Sequence, residues 1–135
     1  ATTGFTSAPA SLTWAQITAS ATNQEANEFI VMNNTGNLAQ NVEFNATNLL
    51  GESDNTKGLY ATNFSAHTAA GCEGTAMVHS AFTAVSGASL TAGNYTIADG
   101  TGQEDIYVCL EAANSDLTQQ SYSTAEEGAW TLRIA

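Results

Sequence analysis

FIVMNNTGNLAQNVEFNATNLLG, residues 29–51, is the stretch whose reading decides the fold. Phe29, Ile30, Val31 and Met32 form an apolar run that ends in a turn built from Asn33, Asn34, Thr35, Gly36 and Asn37. Beyond the turn, Val42 and Phe44 alternate with Asn41, Glu43 and Asn45. Successive side chains of a strand point to opposite faces, so this alternation puts Val42 and Phe44 together on a buried face. Asn and Gly adopt turn conformations at low cost. Two β runs joined by a short Asn/Gly segment are the signature of a β-hairpin.

The same reading extends in both directions. Upstream, SLTWAQITAS (residues 11–20) carries Leu12, Trp14 and Ile17 in a Thr-rich setting and reads as a strand. A helix over residues 11–28 is the competing reading, which the Thr and Asn content disfavours. Downstream, residues 58–64 read as a short strand. Residues 75–85 read as a longer one, with Met77, His79 and Ala81 on one face and Val78, Ser80 and Phe82 on the other. Residues 89–100 read as a turn around Gly93 and a short strand with Tyr95 and Ile97. EDIYVCLEA (residues 104–112) is the clearest strand, with Ile106, Val108 and Leu110 opposite Tyr107 and Cys109. AWTLRIA (residues 129–135) closes the chain, Trp130, Leu132 and Ile134 inward and Arg133 outward. About eight strands, with turn signals every 8–15 residues or so, make the expected fold a single all-β domain, a β-sandwich of jelly-roll type. Residues 1–10, ATTGFTSAPA, with Phe5 as their one large apolar side chain, read as an extended N-terminal arm before a domain spanning residues 11–135.

Composition narrows the function. The 135 residues include 13 acidic side chains against two basic ones, Lys57 and Arg133, for a net charge of −11. A surface without clustered Lys and Arg excludes ordinary nucleic-acid binding and docking on an anionic membrane surface. Polarity comes instead from Thr, Ser and Asn, which favour strands and turns over helices. The chain starts at Ala1 without Met or a basic leader, from which we expect a mature exported protein whose signal peptide has been removed. Its place is then extracellular or on the cell surface. In that compartment Cys72 and Cys109 are expected to form one disulfide; two separate buried thiols are the competing reading.

The stretch over residues 29–51 resembles a recurrent piece of exported archaeal β-sandwich domains, in which an NTGN turn joins two strands and an ATNL-like segment follows. The order continues through ATNF (residues 61–64), the EDIYVCLEA strand and a closing pattern made here by Tyr122, Gly128, Trp130, Leu132 and Ile134. The whole is similar to subunits of archaeal donor-strand pili and threads of bundling type, and through them to the TasA-like jelly-roll family of biofilm fibres. The Cys72/Cys109 pair is not required by that pattern. The resemblance implies a non-catalytic structural subunit without a cofactor, polymerising head to tail with identical subunits and serving adhesion or biofilm. In such fibres an N-terminal segment of one subunit completes a sheet edge of the next. Here the donor would be residues 1–10, with Thr3, Phe5 and Ser7 sharing a face; a strand in the chain's own sheet and a frayed terminus are the alternatives. A monomeric surface binding module, an adhesin or carbohydrate-binding sandwich using Trp14, Tyr60, Tyr95 or Tyr107, is the competing function.

Other chemistry finds little purchase. His67, His79, Cys72 and Met77 raise the question of a copper site, but the order of ligands around either cysteine does not fit and a disulfide would leave no thiolate. Asp99, Glu104 and Asp105 concentrate carboxylates in a Gly-rich stretch and are the candidate calcium ligands, although their spacing completes no known loop. Asn33, Asn45, Asn63 and Asn94 lie in N-x-S/T sequons, about as many as this composition produces by chance, and are the candidate positions for glycans. No nucleophile elbow, phosphate loop or zinc-helix motif occurs.

Overall fold

A computed structural model describes residues 4–90 and 102–135. It contains twelve strands: β1 (Phe5–Ala8), β2 (Thr22–Glu25), β3 (Ile30–Asn34), β4 (Gln40–Ala46), β5 (Leu49–Gly51), β6 (Gly58–Leu59), β7 (Phe64–His67), β8 (Thr75–Ala76), β9 (Ala81–Leu90), β10 (Gln103–Ala112), β11 (Tyr122–Ser123) and β12 (Thr131–Ile134). One turn of 3-10 helix, Ala61–Asn63, precedes β7. The domain is all-β, as the sequence predicts, and its pairings are antiparallel apart from the β7–β9 contact and an isolated bridge between Ala46 and His79.

The main sheet runs β1-β3-β10-β7-β9-β4-β12, with β2 added to β10 and β8 to β7. A separate small sheet is ordered β11-β5-β6. β10 is the axis. Its first half pairs with β3, and its second half pairs with β2 on one edge and β7 on the other. β2 and β3 form one interrupted strand. Ile30 opposes Ile106 and Glu25 opposes Cys109, so the β2–β3 side carries two more residues than β10 over this stretch. Such a bulge bends a strand and increases its twist. A larger bulge lies in β9, where Ala84 opposes Glu43 but Ser89 opposes Asn41. Gly87 takes the left-handed conformation there, at φ +78°, and the adjacent Ser86 makes the parallel contact with His67.

These bends let the sheet curl around one core. Met32 (β3), Val42 and Phe44 (β4), Phe64 (β7), Leu90 (β9) and Ile106, Val108 and Leu110 (β10) all belong to a single buried cluster. Trp14 and Trp130 pack against it, with Trp130 edge-on to Phe44 at 5.6 Å and to Phe64 at 5.0 Å between ring centroids. The inward set of β10 and the outward Arg133 are present. The expected hairpin is not: both of its strands form, but β3 pairs with β1 and β10 and β4 with β9 and β12, because a turn signal reverses the chain without fixing which strand each arm pairs with.

Three further expectations change. Residues 11–20 are neither strand nor helix. Leu12, Trp14 and Ile17 all pack against the core, and their two- and three-residue spacing cannot share one face of a strand, so the segment runs as an irregular strap. Residues 75–85 are not one strand; the chain turns between β8 and β9, with Ser80 at φ +56°. Residues 58–64 split into β6 and the 3-10 turn. The strand read into residues 89–100, with Tyr95 and Ile97, lies beyond Leu90 outside the described residues.

Cys72 and Cys109 are bonded, 5.3 Å apart between Cα atoms. The bond ties the loop before β8 to the middle of β10. Gly74, in the same loop, passes so close to β7 that a Cβ would run into the Ala66 carbonyl. Closing a loop of this length restricts the unfolded chain. Replacing both cysteines by alanine is therefore expected to lower stability by about 2–4 kcal/mol, read from the urea midpoint under non-reducing conditions.

Candidate functional site

Among the described residues the path of the main sheet ends in β1 and β12, and both border the same cleft. β1 pairs with β3 along Phe5↔Asn34 to Ala8↔Val31, and β12 pairs with β4 along Thr131↔Asn45 to Ile134↔Val42. Between these edge strands lies a cleft of about 390 Å³, walled by Phe5 and Ser7 on one side and Trp130 and Leu132 on the other. Its floor is Ile30 and Phe44, and Leu12, Trp14 and Leu49 close one side.

The hydrogen-bond pattern shows which backbone groups the edges present. In an antiparallel pair, residues alternate between those bonded to the neighbouring strand and those turned away from it. The Thr35 N–H donates to the Gly4 carbonyl at 3.0 Å, so Thr6 and Ala8 also bond toward β3 while Phe5 and Ser7 turn outward. Asn41 and Ala135 exchange both bonds at 2.9 Å, so Arg133 bonds toward β4 while Leu132 and Ile134 turn outward. Among the described residues, β1 pairs only with β3 and β12 only with β4. The groups turned outward thus belong to the residues whose side chains, Phe5, Leu132 and Ile134, face the core. An extended peptide could take up both: backbone bonds along an edge and apolar side chains in the floor. β1 and β12 run in opposite directions, as the order of pairings requires, so an inserted strand would be antiparallel to one and parallel to the other.

Polar contacts at the strand ends hold the walls in place. Trp130 donates its indole N–H to the Thr47 carbonyl at 2.8 Å, and the buried Thr47 hydroxyl donates to the Gly128 carbonyl at 2.6 Å. The strap is tied by Trp14, whose indole donates to the Gln24 carbonyl at 2.9 Å, and by Glu28, which accepts from both the backbone and the hydroxyl of Thr13.

The sequence-predicted residues divide accordingly. Phe5 and Ser7 line the cleft, in the strand that pairs with the chain's own β3. Thr3, Asn94 and Asp99 lie outside the described residues. Asn33 holds the outer face between β1 and β10, donating to the Thr6 hydroxyl at 3.3 Å and accepting from Gln103 at 2.7 Å. Asn45 lies in β4 between Phe82 and Thr131, and Asn63 ends the 3-10 turn. The serine and threonine that complete those two sequons, Ser65 and Thr47, are buried, whereas Thr35 is exposed. Glu104 and Asp105 are neighbours within β10, Glu104 buried on the inner face and Asp105 on the outer. Among the described residues no group of three or more His, Cys, Asp or Glu side chains is placed to hold a metal ion. Cys72 is taken by the disulfide and Met77 by the core, so neither joins the histidines. Of the aromatics, Trp14 is part of the core packing, Tyr60 is exposed, and Tyr107 stacks on Phe29 at 5.1 Å on the outer face. The sequence reading missed the pairing of Trp130 with Thr47 and the role of residues 11–20 as a cover. The inward alternation of Trp130 and Leu132 is the one signal that pointed toward the cleft.

No family model matches the sequence, and neither a curated protein nor a solved structure matches it.

The two hydrogen bonds from Thr13 hold the Glu28 carboxyl below its ordinary range, the hydroxyl bond being the larger cause. The folded form therefore binds its proton less readily than the unfolded chain. This contribution is complete above the ordinary carboxylate range and is lost as pH falls through the lowered value. The urea midpoint of the wild type is expected to fall more steeply than that of Glu28→Gln between about pH 6 and about pH 3, with the two converging at the acid end.

Proposed function

We propose that the chain is the repeating subunit of an extracellular filament, a pilus or thread of the TasA-like jelly-roll kind, joined head to tail by strand exchange. The observation that carries this reading is the cleft itself: two edge strands with outward-turned backbone groups flank one apolar trough. Exposed edges of this kind are templates for pairing with another chain. The donor is the arm, residues 1–10. In the single chain its strand β1 covers the edge of β3, and residues 9–21 between β1 and β2 contain no strand. Thirteen extended residues reach roughly 40 Å, far enough to carry β1 to a neighbouring copy. Exchange of an identical element costs little, because each subunit loses and regains the same pairing, and a head-to-tail exchange that does not close yields a fibre. Adhesion or biofilm formation follows from such a fibre on a cell surface, and the disulfide suits an oxidising exterior. Glycans on exposed sequons are compatible with this assembly.

A monomeric binding module is the second reading. The half-exposed Phe29, stacked on Tyr107 on the outer face, favours it, because exposed aromatic faces are where sugar rings dock.

The test is negative-stain microscopy of the full chain, of a chain lacking residues 1–10, and of Phe5→Asp. Long fibres are expected from the first and none from the other two. Apolar burial and backbone pairing are weakly screened, so the fibres are expected to persist in about 1 M salt. Normal fibres from the truncated chain would exclude the arm as donor, and monodisperse particles from the full chain would favour the binding module.

A further inference from the structure

At the end of the domain where β4 leaves the sheet, three segments meet at His79. The first is the linker Thr47 and Asn48 after β4. The second is the turn between β8 and β9, whose His79 forms an isolated bridge with Ala46 at the end of β4. The third is the loop before β12. The Asn48 N–H donates to His79 Nδ1 at 3.0 Å. A backbone amide can only donate, so Nδ1 must be bare and the proton of the neutral ring must sit on Nε2. Nε2 lies 3.5 Å from the Glu127 carboxylate and 3.3 Å from the Ser80 hydroxyl. Asn48 is in turn fixed by its side-chain carbonyl, which accepts from the Ala61 N–H at 2.9 Å.

The two partners of His79 make opposite demands. Asn48 can bond only the neutral ring, because a proton on Nδ1 would face its own N–H. Glu127 gains from the charged ring, since an ion pair is stronger than a neutral hydrogen bond. Among the described residues, Glu127 is the one charged group within 4 Å of the ring nitrogens. The linker and the turn contribute only backbone groups and Ser80. Histidine is the side chain whose charge can change in the physiological pH range, which makes such a conflict usable as a switch.

We propose that His79 is an acid-sensitive latch on the β12 wall of the cleft. At neutral pH it clamps Asn48, and with it Thr47. Thr47 holds Gly128 through its hydroxyl and the Trp130 indole through its carbonyl. In mild acid the ring releases Asn48 and turns its charge to Glu127. The linker of Thr47 and Asn48 then keeps its Ala61 bond but loses the one to His79, and the Trp130 wall loosens. The bearing of this on fibre assembly rests on the proposed strand exchange; the latch itself does not, and its test uses no assembly readout.

The test is amide hydrogen exchange of the full chain at Asn48, read by fragmentation mass spectrometry and corrected for the intrinsic effect of pH. Loss of one hydrogen bond predicts that Asn48 protection falls about tenfold between about pH 7.5 and pH 5. His79→Asn keeps an acceptor near the position of Nδ1 but cannot titrate, so its protection is expected to change less than about twofold. Unchanged protection in the wild type, or an equal fall in His79→Asn, overturns the latch. Nitrogen NMR of ring-labelled histidine supplies a check that needs no variant. Nδ1 should be unprotonated at about pH 8 and protonated at about pH 5, with the Trp130 indole signal shifting in step. A proton on Nδ1 at the higher pH, or an indole signal that does not follow the ring, overturns it.

Discussion

The pairing of β10 on both of its edges is the interaction on which the rest of the structure depends. β3 and β2 lie along one edge and β7 along the other. The inner face of β10 supplies Ile106, Val108 and Leu110, which are almost fully buried. Its outer face supplies Cys109, the anchor for the loop that leads into β8. Because the β2–β3 side is longer than β10 by two residues, the neighbouring strand must bulge. The bulge in β9 bends the sheet again. Two bends turn a flat sheet into one that nearly meets itself, and the gap that remains is the cleft between β1 and β12.

Natural sheets blunt their edges with lysine, proline or short strands. This chain has only two basic side chains to spend. Lys57 lies outside the main sheet, facing Asp116. Arg133 is on β12, but it turns to the outer face, where it bonds Glu43 and lies over the Phe82 ring at 3.9 Å. Neither charge therefore guards the cleft. Pro9 stands just past the end of β1 rather than within it. A monomeric protein pays for such edges in aggregation, whereas a subunit that assembles through its edges needs them open. That contrast is the physical content of the filament reading.

The scarcity of charge also shapes what holds the domain together. Cohesion comes from backbone ladders, an apolar core and side chains that bond backbone carbonyls, as Trp14, Trp130 and Thr47 do. The ion pairs Lys57–Asp116 and Arg133–Glu43 lie at the surface, where such pairs contribute little. Sensitivity to pH is consequently local. Hydrogen bonds lower the pKa of the carboxyl of Glu28, which ties down the strap, and that of Asp54, which accepts from Thr56 in the turn after β5.

Local pattern was enough to read β3 and β4 as strands either side of a turn, though not that each pairs elsewhere, and to read the inward set of β10, the alternation of β12 and the pairing of Cys72 with Cys109. For the strands the deciding information lies within a few residues, an Asn/Gly turn or a period of two; for the disulfide it is that the chain has just two cysteines. The strap over residues 11–20 could not be read this way. Its apolar side chains look like a strand's, but their spacing fits no single face, and only the assembled core gives all three a place. The turn between β8 and β9 was hidden because Ser80 adopts a left-handed backbone that nothing in its neighbours announces. The sequence by itself determined that the chain is all-β and which side of its main strands is buried, because strand periodicity is a property of each segment alone. Only the tertiary structure decided which strands end the sheet and that both ends face one cleft, because strand pairing is a contact between segments distant in the chain, and no local pattern records its partner.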